Sequence, residues 1–271
     1  MTEQLELLQK ELEKIESVTK LLGVIVPLSE EEVCFIRQLT GDSDTVKMSE
    51  GIIEHDKIFR LYTKLPHCRI CRRRHIKDVR SRFNYNELSD VSIFAANCIG
   101  GELYYLLGLK FQSPLINISI NRDQFVVLCA NLKKYLSQPI SVSMRDGMCV
   151  GIIGGAELKK VEVRFPHDTD CESVKKKWLE RCKRVNYEKL ILINDDKGLT
   201  PEDYKEYETI PAYRKILFTA KDMSSEYEFC HQLKEFEGRS RTGEYNGKSL
   251  DGLWKFTKMW DYVSFLNGDN T

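Results

Sequence analysis

The sequence predicts an α/β protein with a three-layer, Rossmann-like core. From Val91 onward, short β-prone runs alternate with helical patterns, which is typical of βαβ units and a largely parallel sheet. Of the 271 residues, 42% are hydrophobic and 30% are charged. This composition can bury one large core or two smaller ones, since domains usually hold roughly 100 to 200 residues.

Residues 1–59 are expected to form a helical appendage. Before Gly23, apolar side chains recur at three- and four-residue steps, which indicates an amphipathic helix; they are Leu5, Leu8, Leu12, Ile15 and Leu22. Packing on the rest of the chain and self-association are both open for this helix. Ser29 and Glu32 have capping-box spacing and predict a second, shorter helix.

Residues 60–88 are expected to form a basic helical connector. The segment 60–82 has Asp78 as its one acid, and its basic residues are Arg60, Lys64, Arg69, Arg72, Arg73, Arg74, Lys77, Arg80 and Arg82. A solvated helix and a patch that contacts anionic lipid headgroups are both open interpretations. Nucleic acid is disfavoured as a partner because no recognised reading motif accompanies the charge.

The same segment holds four residues that could bind zinc, namely His67, Cys68, Cys71 and His75. Structural zinc sites usually take two ligand pairs from separated elements, whereas these four lie in one stretch. The nine cysteines are odd in number and irregularly spaced, which indicates thiols in a reducing compartment. Metal binding by Cys68 and Cys71 therefore stays open.

Charge and hydropathy predict a cytoplasmic protein. The 41 Lys and Arg residues balance the 41 Asp and Glu residues, so any attraction to a polyanion must be local. No apolar run approaches the ~18 residues of a membrane span. The first residues contain too many glutamates for a secretory signal peptide. The basic segment leaves peripheral contact with the inner face of the plasma membrane open.

The α/β core is expected over residues 89–222. Its predicted strands are 91–96, 115–120, 149–153, 161–165, 189–193 and 214–219, and its predicted helices are 100–108, 122–137, 170–184 and 201–208. The glycine-rich stretch 141–155 predicts a hairpin at which two subdomains could divide. Residues 223–271 are expected to form a helical extension packed on the core, with a helix at 224–236 and an aromatic helix near the end.

The most informative motif follows the first core strand, where Asn97 and Cys98 lead into Gly100 and Gly101 at the start of a helix. Ligands of open α/β sheets gather at the carboxyl ends of strands. The N–H groups that begin the helix can receive an anion, and the glycines let a phosphate approach closely. The same helix end would favour the thiolate of Cys98. Alternatively, Cys98 is a small buried side chain and the glycines serve close packing.

His167 follows another strand pattern and is itself followed by Asp168. A histidine at this place can act as a general base, and the adjacent carboxylate can fix its tautomer. If Cys98 lies within hydrogen-bond reach of His167, the two form an activated thiolate–imidazole pair. The alternative is a polar histidine with a structural role.

Acidic side chains end the apolar run at 190–193, where Asn194, Asp195 and Asp196 follow. This resembles the acidic strand-end motif of nucleotide-sugar glycosyltransferases, in which carboxylates hold magnesium or manganese beside a phosphate. Asp195 is then a catalytic candidate, Asn194 a substrate ligand and Asp196 a metal ligand. Alternatively, the three residues build a turn and cap the next helix.

Three side chains recur every third residue on one predicted helix: Trp178, Arg181 and Arg184. The two guanidinium groups could share a face and bind a phosphate or carboxylate. Ion pairs with the many acids of the chain are the alternative.

Several motifs in order resemble an uncharacterised bacterial domain-of-unknown-function family associated with exopolysaccharide and capsule synthesis. The similar positions are Asn97-Cys98-Ile99-Gly100-Gly101, Ser113-Pro114, Phe165-Pro166-His167, Trp178, Arg181, Arg184, Asn186, Asn194-Asp195 and Pro211. The resemblance covers residues 91–220. It implies a pathway and carries no catalytic role for any residue.

Three functions follow as expectations. The first is a glycosyltransferase-like group transferase that acts on a nucleotide- or lipid-linked sugar, with His167 as the base and Asp195 or Asp196 holding the cation or the sugar. It requires Asn97, His167 and Asp195 to meet at the rim of one sheet. The second is a non-catalytic, membrane-peripheral assembly factor of glycan synthesis. The third is a cysteine-dependent acyl or amide hydrolase, which requires contact between Cys98 and His167.

Overall fold

The structure is a computed structural model that describes residues 69–155, 157–242, 244–245, 248–249 and 260–269. The predicted appendage and the side chains of His67, Cys68 and Cys71 lie outside the described residues. The chain divides into two compact units, Met1–Arg82 and Phe83–Thr271.

The described part of the first unit is the helix α1, Arg69–Arg82, which lies within the predicted basic helical connector. Asp78 and Arg82 form an i,i+4 ion pair with 3.6 Å between Oδ2 and Nε. Across the described residues, no helix is both long and apolar enough to cross a membrane.

The second unit holds the α/β core, which contains both strands and helices. Its strands are β1 Ser92–Ala95, β2 Ser119–Ile120, β3 Ser141–Arg145, β4 Met148–Gly155, β5 Leu158–Phe165, β6 Leu190–Asp195, β7 Arg214–Thr219, β8 Cys230–Gln232, β9 Glu244–Tyr245 and β10 Lys248–Ser249. Its helices are α2 Tyr85–Leu88, α3 Ile99–Leu107, α4 Arg122–Ala130, α5 Leu132–Leu136, α6 Cys171–Cys182, α7 Pro201–Thr209 and α8 Tyr262–Asn267.

Two four-stranded sheets organise this unit, and they confirm the α/β prediction. One is parallel, with strand order β1-β6-β7-β8, and the other is antiparallel, with strand order β2-β5-β4-β3. Every residue of β1 and β6 is buried, as expected of parallel strands that are covered on both faces. The core is less parallel than predicted because β3, β4 and β5 follow one another through hairpins.

The hairpin predicted within 141–155 is present between β3 and β4. Its two turn residues, Asp146 and Gly147, have φ values of 48° and 78°. Two-residue hairpins favour such positive φ angles because they match the twist of the flanking strands, and Asp-Gly tolerates them well. The turn chemistry visible in the sequence therefore fixes the register of this pair.

Two helix predictions are corrected. The helix predicted at 224–236 is wrong, because Cys230–Gln232 forms β8 and pairs in parallel with Leu217, Phe218 and Thr219 of β7. Pairing with the edge of β7 outweighs the local helical pattern. The helix predicted at 122–137 is two helices, since Asn131 has non-helical angles (φ −128°, ψ 35°) and separates α4 from α5.

Ala96 joins the two sheets through its backbone. Its N–H donates to the carbonyl of Ile193 at 3.2 Å, and its own carbonyl accepts from the N–H of Ile120 at 3.0 Å. The residue that follows β1 is thus bonded to β6 on one side and to β2 on the other. Asn97 and Cys98 come directly after this junction.

Candidate functional site

The structure brings Cys98 and His167 into contact. Sγ of Cys98 lies 3.7 Å from Nε2 of His167 and also 3.7 Å from the carbonyl oxygen of Ile118. Cys98 is half-buried, whereas His167 is exposed to solvent. A thiol and an imidazole that had been predicted at separate strand ends therefore form one site that a substrate can reach.

Cys98 owes its position to the turn between β1 and α3. It is the N-cap residue of α3, with φ −65° and ψ −11°. The side chain of Asn97 is buried, and its Oδ1 accepts the N–H of Ile99 at 3.0 Å. This bond satisfies one of the N–H groups that the first turn of a helix leaves without an intrahelical partner. Asn97 thereby holds the sulfur-bearing residue at the positive end of α3.

His167 owes its position to the turn that follows β5. The N–H of Asp168 donates to the carbonyl of Phe165, and the N–H of Cys149 donates to the carbonyl of Asp168, both at 3.2 Å. The carboxylate of Asp168 pairs with Lys177 of α6 at 2.9 Å rather than with the imidazole. The tautomer-fixing role predicted for Asp168 thus has no contact that supports it among the described residues, and the turn itself positions the ring.

The contacts of Cys98 allow two arrangements of its proton. A thiol has one hydrogen, which can point to the Ile118 carbonyl or to Nε2 of His167. In the first arrangement the sulfur is a neutral thiol. In the second, transfer of the proton to the ring gives a thiolate beside an imidazolium, which is the reactive form of cysteine.

Gly100 and Gly101 are accounted for by close packing. A Cβ at Gly101 would collide with Oδ1 of Asn117 and lie 3.1 Å from Ile116, and a Cβ at Gly100 would lie 3.3 Å from Cβ of Ala95. Both glycines are buried. They let α3 approach the loop before β2, and their predicted contact with a phosphate stays a prediction.

Asn117 was not found by the sequence reasoning, although it lies beside the site. It is exposed, and its φ is 56°, a left-handed value that few residues other than glycine and asparagine adopt. The next residue, Ile118, supplies the carbonyl that faces Cys98. An asparagine between Ile116 and Ile118 was the available signal, because it interrupts an apolar run with a residue that favours turns.

Asp195 is the last residue of β6, the neighbour of β1, but its carboxylate is already bound. Nε and Nη2 of Arg122 each lie 2.8 Å from its Oδ2, and its side chain is 2% exposed. Its Oδ1 accepts the N–H of Lys197 at 3.2 Å. Nδ2 of Asn194 donates to the carbonyl of Arg122 at 3.2 Å. Arg122, which the sequence reasoning missed, thus engages the residues predicted to bind substrate.

Asp196 is also engaged by the protein. Its Oδ1 accepts the backbone N–H of Thr242 at 2.6 Å and the hydroxyl of the same residue, and its Oδ2 accepts the N–H of Ala220 at 3.0 Å. Burial raises the pKa of Asp196, and the bonds from Thr242 and Ala220 oppose that rise. Within the described ranges, no group of three His, Cys, Asp or Glu residues could hold a metal ion. Asp195 takes part in the turn after β6, since its Oδ1 accepts the N–H of Lys197, whereas the cap of the next helix is Thr200.

Residues 71–267 match a family model described as Domain of unknown function (DUF1919). The chain belongs to this family. A protein of Haemophilus influenzae described as "Uncharacterized protein" is 26% identical over 185 residues, which cover 65% of this chain and 84% of that relative. The resemblance seen in the sequence is confirmed as membership of a domain-of-unknown-function family, while the association with exopolysaccharide and capsule synthesis stays a prediction. The matched region of the DUF1919 model includes both Cys98 and His167.

Two further predicted residues of the DUF1919 region pack on the core of the second unit. Trp178 is buried, and its ring meets the ring of Phe165 edge-on at 6.3 Å between centroids. The guanidinium of Arg181 lies 5.1 Å from the centre of the Phe111 ring. Burial lowers the pKa of Arg181, and the neighbouring charge of Arg184 lowers it further.

Arg184 lies at the other end of β1 from Cys98. Its positive charge acts on the hydroxyl of Tyr104, which donates to the carbonyl of Val91 and accepts the N–H of Ile93 at the start of that strand. The helix α6 therefore begins near the His167 turn, and Arg184 lies two residues beyond its far end. Phosphate binding by Arg181 and Arg184 stays a prediction, but the structure does not bring Arg184 to the Cys98 site.

A surface cavity of about 590 Å³ also opens at that opposite edge. Its lining includes Lys133, Tyr187, Tyr213 and Leu190, the first residue of β6. Cys98 does not contribute to it. The contact between Cys98 and His167 and this cavity are separate features of the second unit.

Proposed function

We propose that the chain is a cysteine-dependent acyl-group transferase or hydrolase, in which Cys98 is the nucleophile and His167 is the general base. The observation that carries this proposal is the 3.7 Å distance between Sγ of Cys98 and Nε2 of His167. Nucleophile and base need hydrogen-bond contact, and such contacts are often looser in the absence of substrate. The half-buried sulfur and the exposed ring leave room for an acyl donor to approach.

The reaction runs in two steps. Nε2 of His167 takes the thiol proton, and the thiolate of Cys98 attacks the acyl carbon. The leaving group departs with the proton from the imidazolium, which leaves a thioester on Cys98. His167 then takes a proton from water or another acceptor, which attacks the thioester and restores the thiol.

The start of α3 supports the developing negative charge of the acyl oxygen. Cys98 is its N-cap residue, and the first turn of a helix presents N–H groups without intrahelical partners together with the positive end of the helix dipole. We propose that an oxyanion formed on a carbonyl bound to Cys98 accepts from the N–H groups of this turn other than that of Ile99, which already donates to Asn97. Stabilisation of this kind typically contributes roughly 10²- to 10³-fold to the rate.

The substrate class rests on the resemblance to a family associated with exopolysaccharide and capsule synthesis. We propose a nucleotide- or lipid-linked sugar as the substrate, which gives up its acyl group as the donor or receives one on a free hydroxyl or amine as the acceptor. A metal-dependent glycosyl transfer at Asp195 and Asp196 has less support, because Arg122, Thr242 and Ala220 already bind these carboxylates.

One observation favours a second candidate, the membrane-peripheral assembly factor. The helix α1 has the sequence RICRRRHIKDVRSR, in which Asp78 is the one acid among many basic residues. Basic residues near an anionic surface contribute about 1 kcal/mol each. This candidate predicts that deleting residues 1–82 abolishes polysaccharide production, while Cys98→Ala has no effect.

Acylation of the protein tests the enzymatic proposal directly. The full chain is mixed with p-nitrophenyl acetate, and release of p-nitrophenol is followed together with the intact mass. We expect one acetyl group per chain on Cys98, none on Cys98→Ala, and acetylation of His167→Gln that is slower by about 10²-fold or more.

Cys182→Ser is the matched control, because Cys182 is also a half-buried thiol in this unit. Burial raises its pKa to about 12, so it should contribute little acylation. Equal acetylation of wild type and Cys98→Ala, or an unchanged rate in His167→Gln, would overturn the enzymatic proposal.

A further inference from the structure

A pair of sulfur atoms lies close to the His167 turn. Sγ of Cys149 is 2.9 Å from Sγ of Cys171, and both residues are thiols. Cys149 lies in β4 and is fully buried, whereas Cys171 is the first residue of α6 and is half-buried. The two thiols are thus in direct contact, and one of them can be reached from solvent.

The backbone on each side of this pair is fixed by hydrogen bonds. Cys149 is in register with Phe165 of β5, and its N–H donates to the carbonyl of Asp168 at 3.2 Å. On the other side, Oδ1 of Asp170 accepts the N–H groups of Glu172 and Ser173, both at 3.1 Å, and so caps α6. The contact between the sulfurs therefore belongs to the folded core rather than to a loose segment.

We propose that Cys149 and Cys171 form a modification site, a dithiol that low-molecular-weight disulfides oxidise reversibly to a disulfide bond. Neither residue takes part in the acyl chemistry proposed above. The proposal stands on the contact between the two sulfurs, on their unequal exposure and on the fixed backbone around them.

The order of the two steps follows from exposure. The sulfur of Cys171 attacks one sulfur of the small disulfide, which releases one small thiol and leaves a mixed disulfide on Cys171. Cys149 then attacks the sulfur of Cys171, which releases the second small thiol. Two protein thiols become one disulfide, the small disulfide becomes two thiols, and the two thiol protons end on those products.

Cys149 suits the second step and not the first. Burial raises the pKa of Cys149 to about 11, and its contact with Cys171 adds to the rise. It therefore stays protonated and shielded from the small disulfide during the first step. In the second step it attacks the sulfur of Cys171 as the thiolate. Its proton leaves with the departing thiol.

Oxidation would close a covalent loop around the turn that carries His167. The loop runs from Cys149 through β4, β5 and residues 166–170 to Cys171. A cross-link of this kind restricts the unfolded chain and raises the stability of the folded state. We expect the midpoint of thermal unfolding to rise by several degrees on oxidation and to return when a reductant is added.

The experiment uses the full chain with oxidised glutathione as the probe, followed by alkylation of the remaining thiols and mass spectrometry of the peptides. We expect a cross-linked peptide pair that contains Cys149 and Cys171, lighter by two hydrogens than the reduced pair. The assay is run on wild type and on Cys98→Ala, so that an adduct on Cys98 is not mistaken for reaction at the pair. Both proteins should form the bond.

Single variants separate the two steps. Cys149→Ser should retain glutathione on Cys171, because the second thiol is missing. Cys171→Ser should leave Cys149 unmodified, because the buried sulfur is not reached. Cys182→Ser, which alters a half-buried thiol at the far end of α6, should form the disulfide as wild type does.

Full alkylation of both cysteines after prolonged oxidation of folded wild type would overturn the proposal, as would a bond from either cysteine to a different partner. If Cys149→Ser fails to fold, wild type and Cys171→Ser still test whether the disulfide forms. Failure of the acyl chemistry would leave this disulfide intact, and failure of the disulfide would leave acylation of Cys98 unchanged.

Discussion

Arg122 binds the carboxylate of Asp195 through two nitrogens, Nε and Nη2, each 2.8 Å from the same oxygen. The two side chains are 11% and 2% exposed. Removal of one partner from a buried ion pair leaves an uncompensated charge, which typically costs about 3–5 kcal/mol. Arg122→Met should lose that much free energy of unfolding in urea titrations.

Two variants control this prediction. Arg122→Met/Asp195→Asn removes the orphan charge and should recover most of the loss. Arg164→Met breaks a more exposed pair with Glu162, in which the arginine side chain is 41% exposed, and should cost roughly 1 kcal/mol or less. If Arg122→Met costs no more than Arg164→Met, the buried pair does not stabilise the fold.

The contact between Gly101 and Asn117 predicts a rescue. Gly101→Ala places a methyl group against the side chain of Asn117 and near Ile116, and overpacking of this kind typically costs about 1–3 kcal/mol. Asn117→Gly removes the obstructing side chain and suits the positive φ of that position. The double variant should therefore unfold at a higher temperature than Gly101→Ala alone. If the double variant and Gly101→Ala unfold at the same temperature, contact with the side chain of Asn117 is not what destabilises Gly101→Ala.

Lys215 closes the carboxyl end of α7. Its Nζ donates to the carbonyls of Tyr207 at 3.0 Å and Ile210 at 3.1 Å, and also to that of Glu208. Hydrogen bonds from a charged donor contribute about 1.5–3 kcal/mol, so Lys215→Met should lower the free energy of unfolding by that order. Lys205→Met, an exposed change in the same helix, should stay within about 0.5 kcal/mol of wild type. If Lys215→Met loses less free energy of unfolding than Lys205→Met, the hydrogen bonds of Lys215 do not stabilise the end of α7.

His231 should make stability depend on pH. It lies in β8, edge-on to the ring of Phe218, and burial lowers its pKa below the ordinary 6.5. Below pH 6.5 the unfolded chain therefore binds a proton more readily than the folded chain, and stability falls as the pH falls through the folded pKa. In His231→Gln, the free energy of unfolding should therefore decrease less between about pH 7 and pH 5 than it does in wild type. If the free energies of unfolding of the two proteins depend on pH in the same way, His231 does not cause this pH dependence.

The strands of the parallel sheet were predictable where they are apolar runs that end in polar residues. The runs at 91–96, 189–193 and 214–219 correspond to β1, β6 and β7. Strand β8 was missed because Cys-His-Gln carries no apolar run, and only its pairing with β7 makes it a strand. Of the antiparallel sheet, the hairpin between β3 and β4 was predictable from the sequence. The pairing of β2 with β5 was not predictable.

Cys98 and His167 were each predictable as polar residues at strand ends. Their contact was not, because β1 and β5 belong to different sheets and the junction depends on long-range backbone bonds. Arg122 and the sulfur pair were missed for the same reason. Arg122 is 73 residues from Asp195 in the sequence, and Cys149 and Cys171 are brought together by the β4–β5 hairpin that lies between them.

The two backbone hydrogen bonds of Ala96 have a consequence for how relatives can vary. Because its amide and carbonyl tie β1 to both β6 and β2, the spacing of sulfur and imidazole does not depend on the lengths of outlying loops. Evolution can lengthen or trim those loops without separating the pair. One residue inserted between Ala96 and Cys98 would instead displace the sulfur by about 3 Å, the rise of a single extended residue.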